Sequence, residues 1–392
     1  MKLNFKYLLG ILLLSCFAAN AQTADRKITT ALPFLQVAAD ARAGGLGDQG
    51  VATSPDAFSQ QWNSSKYAFS KDQIGIGVNI TPYLTKLVND IILANLAGYY
   101  KLDERSAVSA SFRYFSLGEI EFRESADAEA FIQKPNELSF DVAYSLKLSE
   151  RFAMSVAGRY LRSDLRLNTL NTGADANAGN SFGVDITGYY QSEEIPYSSF
   201  DGRWRAGFAI TNIGPKLKYS EDQESFIPTN LRVGGGFDFG IDQYNKVKVS
   251  LEFSKLLVPT PPASLGTFAD GPADPEDAQT YDEFVRGKSA IGSIFSSFND
   301  APDGFSEELQ EITTSISAEY VYNDVFALRA GYFNEHENKG ARKFFSLGAG
   351  FKYTSIGIDM SYLFSTSSTP SPLDGTLRFG LTFNFGEEYR EL

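Results

Sequence analysis

Lys246-Val247-Lys248-Val249-Ser250-Leu251-Glu252-Phe253 alternates without a break. Successive side chains of an extended strand point to opposite faces. Val247, Val249, Leu251 and Phe253 therefore share one face, and Lys246, Lys248, Ser250 and Glu252 share the other. Segments of this kind, each roughly ten residues long, recur about fourteen times between Ile74 and Phe385. Their greasy face is rich in Phe and Tyr. A soluble β-sandwich also alternates but does not need so many such strands, whereas a closed barrel in a membrane does.

The strands expected from this pattern are Ile74–Thr81, Ile91–Lys101, Ser106–Phe115, Glu137–Leu148, Phe152–Ser163, Ser181–Tyr190, Arg203–Thr211, Thr229–Phe239, Lys246–Ser254, Ile312–Tyr322, Val325–Tyr332, Phe344–Tyr353, Ser355–Phe364 and Thr376–Phe385. That gives an all-β membrane fold, a fourteen-stranded antiparallel outer-membrane β-barrel. A tilted crossing needs about 9–11 residues, which twelve of the strands reach, while Ile74–Thr81 and Val325–Tyr332 come within one residue of it. In the second, Ile91, Ile92, Leu93 and Leu96 do not alternate cleanly.

Connection lengths are an independent test, because barrel turns are short inside and loops are long outside. With the first strand running outward, the inner turns include Leu102–Arg105, Ser149–Arg151, Asn323–Asp324 and the junction at Thr354. Only Gln191–Gly202 is longer than the rule prefers. The outer loops include Gly118–Asn136, Asp164–Asn180, Gly214–Pro228 and Leu257–Glu311. Tyr160, Tyr190, Tyr322 and Tyr353 fall near strand ends, where aromatic girdles sit.

The wet face would line the lumen. It carries Arg113, Arg159, Arg203, Arg205, Arg232, Lys246, Lys248, Arg329, Lys352 and Arg378, with Asp141, Asp185, Asp238, Glu252, Glu319 and Asp359. Such charges must pair or stay wet. They form either a salt-bridge lattice bracing the wall and an N-terminal plug, or a conduction path.

The first residues read as an export signal. Lys2 and Lys6 precede an apolar run from Tyr7 to Phe17, and Ala19-Asn20-Ala21 offers a cleavage site before Gln22. Leu13-Leu14-Ser15-Cys16 gives a rival reading as a lipoprotein box. Cleavage after Ala21 leaves no cysteine, and hence no disulfide or thiolate chemistry. It leaves 33 basic and 48 acidic residues, a net of −15, which argues against nucleic acid as a partner. Beyond the signal no run of eighteen apolar residues exists. The organisation expected is signal 1–21, hatch or plug 22–73, barrel 74–386 and tail 387–392.

Strings that resemble catalytic motifs lack their context. Gly45-Leu46-Gly47-Asp48-Gln49-Gly50 matches a dinucleotide fingerprint but has no βαβ unit around it. Gly179-Asn180-Ser181-Phe182-Gly183 matches a nucleophile elbow but opens a strand, and the only histidine, His336, sits in an expected outer loop. No catalytic, metal or cofactor residue is assigned. The acidic clusters Asp270–Asp277 and Asp300–Asp303 do not have EF-hand spacing and read as solvated loop.

The 55-residue loop Leu257–Glu311 departs most from a minimal barrel, with eleven acidic and two basic residues. Loops this long are usually functional or disordered. Phe284, Ile291, Ile294, Phe295 and Phe298 are spaced for a short amphipathic helix. Phe268, Tyr281, Phe284, Ile291, Ile294, Phe295 and Phe298 are the candidate partner-binding residues. They either fold back over the barrel mouth or dock a partner, and the two are compatible.

Leu32-Pro33-Phe34-Leu35, Asp40-Ala41-Arg42-Ala43-Gly44-Gly45-Leu46-Gly47, Gln61-Trp62-Asn63 and Leu256-Leu257-Val258-Pro259-Thr260-Pro261-Pro262 resemble the PorV family. Its members are outer-membrane components of the type IX secretion system of Bacteroidetes. The Gly-rich part is also similar to the wider FadL-type barrels, including the related PorQ. Family members often continue Trp-Asn with Pro-Ala, whereas Ser64-Ser65 follow here. The resemblance implies a FadL-like barrel whose N-terminal hatch is built on Asp40, Arg42, Gly44, Gly45, Gly47, Trp62 and Asn63. It implies a non-enzymatic role without cofactor, in which a loop enters the lateral opening of the giant translocon barrel. The C-terminal signal domain of secreted cargo is captured there and carried to the sortase-like attachment complex at the cell surface. Outer-membrane lipid and lipopolysaccharide would surround the barrel. The alternative is a FadL-like channel for uptake of hydrophobic small molecules.

Overall fold

A computed structural model describes residues 26–85, 88, 90–122, 131–165, 178–220, 223–262, 281–367 and 373–388. The expected signal peptide lies outside the described residues, as do Phe268 and Asp270–Asp277; of the expected tail 387–392, Glu387 and Glu388 extend the last strand and the rest lies outside.

Fourteen long strands form the wall. They are β1 (Asp72–Pro82), β2 (Ile91–Lys101), β3 (Ser106–Leu117), β4 (Asn136–Ser149), β5 (Phe152–Asp164), β6 (Gly179–Gln191) and β7 (Asp201–Ile213). They continue as β8 (Asn230–Gly240), β9 (Asn245–Leu256), β10 (Thr313–Tyr322), β11 (Phe326–Asn334), β12 (Lys343–Tyr353), β13 (Ile356–Ser365) and β14 (Leu377–Glu388). Each pairs antiparallel with its neighbours in sequence, and β14 returns to β1 with Phe385 opposite Ile74 and Leu381 opposite Val78. Closure removes every strand edge, the condition for a sheet to cross a bilayer. Among the described residues no helix is long and apolar enough to do so.

Alternation sorts the side chains as expected. In β9, Val249, Leu251 and Phe253 point out and are exposed, while Ser250 and Glu252 are buried. Strand ends lie within three residues of the expected ones. The poor alternation of β2 has a physical cause. Ile91 and Leu93 face inward but join an apolar cluster with Leu32, Phe34, Leu35 and Phe115, so the inner face is greasy there.

One end of the barrel has tight turns. Asn323 and Asp324 both have positive φ, 53° and 54°, as a two-residue hairpin turn requires. Asp242 accepts bonds from the backbone N–H of Tyr244 and Asn245, both at 2.8 Å. The longer Gln191–Gly202 turn is ordered by a short strand, Ile195–Pro196, that pairs with Asp201 and Gly202. The other end carries the long loops, and by the rule of loop lengths it is the outer face. Among the described residues, three short helices belong to the longest loop. With Ala41–Gly45 as α1, they are α2 (Tyr281–Gly287), α3 (Ala290–Ser296) and α4 (Phe305–Gln310).

The charges on the wet face pair with one another. Arg159 bridges Asp185 at 2.8 Å and also Asp141, which meets Arg113 at 3.5 Å. Arg205 pairs with Asp238 at 2.7 Å, Arg232 with Glu252 at 3.0 Å, and Arg329 with Glu319 at 2.8 Å and Asp359 at 2.6 Å. A buried ion without a partner costs several kcal/mol, so these pairs brace the inner face rather than leave it open. Lys352 departs from the expectation: it lies at the short-turn end and is exposed.

Candidate functional site

Residues 31–70 are almost all buried and lie against the inner face of the wall. Arg26 meets Asp303 and Glu307 of the longest outer loop, whereas Ser70 accepts a bond from Lys101 at the short-turn end, 3.0 Å. The segment therefore runs the length of the barrel from the outer mouth inward.

The residues singled out by resemblance hold this segment in place. Asp40 caps α1 by accepting from Ala43 N at 2.7 Å, and its other oxygen accepts the Trp62 indole N–H at 3.0 Å. A buried indole needs such an acceptor. Arg42 donates to Glu319 on β10 through Nε (3.2 Å) and Nη2 (3.0 Å), and to the Ser54 carbonyl at 2.9 Å. Asn63 donates to the carbonyls of Val51 (2.8 Å) and Gly188 (2.9 Å). Its side-chain oxygen accepts from Ser65 N, capping the 3-10 turn Ser64–Phe69. Ser64 is thus at a first helical position, where proline is also tolerated. Its hydroxyl donates to Ser155 at 2.9 Å.

The glycines serve backbone contact. A Cβ on Gly45 would lie 2.9 Å from the Gly348 Cα, and one on Gly44 would strike the Arg378 side chain. Gly47 has φ 73°, and its N–H donates to Ser346 at 2.9 Å. Gly50 and Val51 both donate backbone N–H groups to Glu252, at 2.8 and 2.9 Å. The Gly45–Gly50 string thus seats the chain against the wall. Ser181 in the elbow-like string donates to the Pro215 carbonyl at 2.9 Å from within β6. His336 accepts from Asn338 N at 3.3 Å in the β11–β12 loop. Among the described residues no three His, Cys, Asp or Glu side chains converge as a metal-binding set.

The outer loop divides the candidate partner residues. Phe284 and Val285 are buried with Phe226 and Val258, and Tyr281 donates to the Thr29 carbonyl at 3.2 Å. Ile294 is half-buried. Ile291, Phe295 and Phe298 are exposed, Phe295 to 75%. The sequence reading missed Phe305, also 75% exposed, and Leu309 at 52%. It also missed the ionic seat of α4. Lys255 meets Glu308 at 2.9 Å and Glu311 at 2.5 Å, and Lys339 meets Glu307 at 2.7 Å and Glu311 at 2.9 Å. The cations around Glu307 hold its carboxyl down at about 2, against the opposing effect of burial. Asp300 goes the other way, pushed up to about 6 by burial, with Glu308 and Glu311 adding to the effect. A cavity of about 780 Å³ lies under the mouth, with Phe34, Leu93, Phe115 and Phe333 in its lining.

A closed fourteen-stranded barrel with an apolar outer belt, a filled lumen and long loops at one end defines an outer-membrane β-barrel protein. Among solved structures it is similar to the TodX deltaS2S3 mutant monoaromatic hydrocarbon channel, TM-score 0.50 at 10% identity over 89% of this chain and 99% of that one. It is also similar to the toluene transporter TbuX of Ralstonia pickettii, TM-score 0.48 at 11% identity over 90% and 99% of the two chains. A FadL homologue of Pseudomonas aeruginosa gives TM-score 0.45 at 10% identity over 92% and 100%. At these identities the likeness concerns the fold alone. Sequence comparison with curated proteins finds no match. The family model described as Type IX secretion system protein PorV matches residues 20–263, more than half of the chain. The chain belongs to that family and is a component of type IX secretion.

Proposed function

We propose that this barrel is a non-enzymatic shuttle of the type IX system, reaching the outer membrane after cleavage before Gln22. It binds the C-terminal signal domain of secreted cargo at the giant translocon barrel and passes cargo to the sortase-like attachment complex. The observation that carries this reading is the exposed apolar face of the longest outer loop, with Phe295 and Phe305 each 75% exposed on a chain of this family. Apolar groups displayed above a membrane fit a protein partner. The test is co-purification of the full-length protein from outer membranes with the translocon barrel and with a cargo C-terminal domain, followed by deletion of residues 281–298. Normal surface display of cargo after that deletion would count against the shuttle.

The second reading is an uptake channel for hydrophobic small molecules. The cavity under the mouth, lined in part by Phe34, Leu93, Phe115 and Phe333, favours it. The ion-paired, filled lumen favours the shuttle, since a greasy solute would have to pass Arg42, Glu319 and Arg329.

A further inference from the structure

Helix α4 is amphipathic in the unusual sense. Glu307, Glu308 and Glu311 face inward and are 1, 5 and 6% exposed, while Phe305 and Leu309, four residues apart on the other face, look into solvent. The inward carboxylates are held by Lys255 of β9, by Lys339 of the β11–β12 loop and by Arg26. Lys255 and Lys339 belong to the wall and its hairpin loop. Arg26 belongs to the segment that fills the lumen.

The strap from Arg26 to Ala31 is fastened to two outer loops, to the longest one through Arg26 and Thr29 and to Gly214–Pro228 through Ala31. Arg26 donates to both oxygens of Glu307 at 2.8 Å and also pairs with Asp303. Ile28 packs on the cluster of Phe226, Val258, Phe284 and Val285. Thr29 donates to the Tyr281 hydroxyl at 2.7 Å, and Ala31 N donates to the Phe226 carbonyl at 2.9 Å. Lys27, Thr29 and Thr30 line one side of the cavity under the mouth, with Phe333, Lys339 and Leu373 also in its lining. Beyond Ala31 the chain continues into Leu32, Phe34 and Leu35 of the luminal cluster.

We infer that Arg26–Ala31 is a releasable latch, fastened by Glu307 of the outer loop, and that its release widens the cavity it lines. Both carboxylates that hold Arg26 sit on the same loop, so displacement of α4 removes them together. A buried guanidinium stripped of its carboxylates is strongly destabilised. The strap then either follows α4 or leaves its seat, and in both cases the cavity loses the part of its lining that Lys27, Ile28, Thr29 and Thr30 supply. The trigger, a partner seated on Phe305 and Leu309, rests on the docking reading above; the latch itself does not.

The test uses the mature protein in detergent, which carries no native cysteine once the chain is cleaved before Gln22. Ala31→Cys reports on the strap, and Ala209→Cys, buried on the luminal face of β7, reports on the barrel. Each is labelled with a water-soluble maleimide. Glu307→Gln is expected to speed labelling at Ala31→Cys by at least about tenfold and to leave Ala209→Cys unchanged, the loss of about 1.4 kcal/mol of protection corresponding to tenfold. Asp303→Asn, which leaves Glu307 in place, is expected to give a smaller rise at Ala31→Cys alone. Unchanged labelling at Ala31→Cys in both variants, or an equal rise at Ala209→Cys, overturns the latch. Neither outcome bears on co-purification with the translocon, so a failed latch and a failed docking reading are told apart.

Discussion

Arg42 and Glu319 meet as a fork on a fork, Nε to Oε1 at 3.2 Å and Nη2 to Oε2 at 3.0 Å, and so tie the luminal segment to strand β10. Glu319 also receives Arg329 from the neighbouring strand, at 2.8 Å. One carboxylate therefore joins insert and wall.

Arg42→Ala should loosen the insert without opening the barrel. Removing one partner of a buried pair costs about 3–5 kcal/mol. Amide exchange across residues 38–51 should accelerate by about two orders of magnitude or more. Exchange in β10 and β11 should stay slow, because their ladder of backbone bonds is untouched. Equal acceleration in both regions would show that the insert and wall unfold together.

Gly207→Ala should disturb the insert more than Gly158→Ala does. A Cβ on Gly207 would fall on the Val51 carbonyl oxygen, which is backbone, whereas one on Gly158 meets nothing within 4 Å. Overpacking costs about 1–3 kcal/mol, and an open-surface substitution about 0.5 kcal/mol or less. Proteolysis within residues 50–66 of the folded protein should separate the two variants.

Phe305→Ser with Leu309→Ser should leave the melting transition in place, since neither side chain is buried. Each is an anchor in the docking reading, worth about 2 kcal/mol or more, so each single substitution should weaken binding to the translocon barrel by about thirtyfold and the pair by more. Surface plasmon resonance with purified partner reads this directly.

The clasp has a defined pH dependence. Glu307 has a folded value near 2 against an ordinary 4.5, so its contribution is complete above about 4.5 and is lost as pH falls toward 2. Asp300 has a folded value near 6 against an ordinary 3.8, so its ionisation weakens the loop increasingly as pH rises from about 4 to 6. Asp300→Asn should therefore resist proteolysis of the loop better than the parent at pH 7 and equally at pH 4. A parent loop whose protease resistance is flat from pH 4 to 7 would contradict the Asp300 assignment.

Strand alternation and loop lengths made the barrel legible, because a wall one residue thick with lipid outside must alternate whatever else it does. The lattice of luminal charges was legible for the same reason, since Arg159, Asp141 and Arg329 had nowhere dry and unpaired to go. Chemistry left α4 illegible. Its residues announce two faces, but the usual rule sends Glu307 and Glu311 to water and Phe305 inward, and Lys255 and Lys339, distant in sequence, reverse it. Arg26 gave no signal, because its partner lies 281 residues away. The split of the loop aromatics was equally hidden: Phe284 and Phe295 look alike until Phe226 and Val258 cover one of them.

The insert begins beside Glu307 at the outer mouth and ends beside Lys101 at the inner rim, with bonds to the wall along its course. Those bonds serve the wall as much as the insert. A cylinder of the same strands without its filling would leave the Asn79 amide oxygen, the Ser346 hydroxyl and the Glu252 carboxylate facing the lumen without these backbone donors. The insert is in that sense the inner half of the wall's own hydrogen bonding.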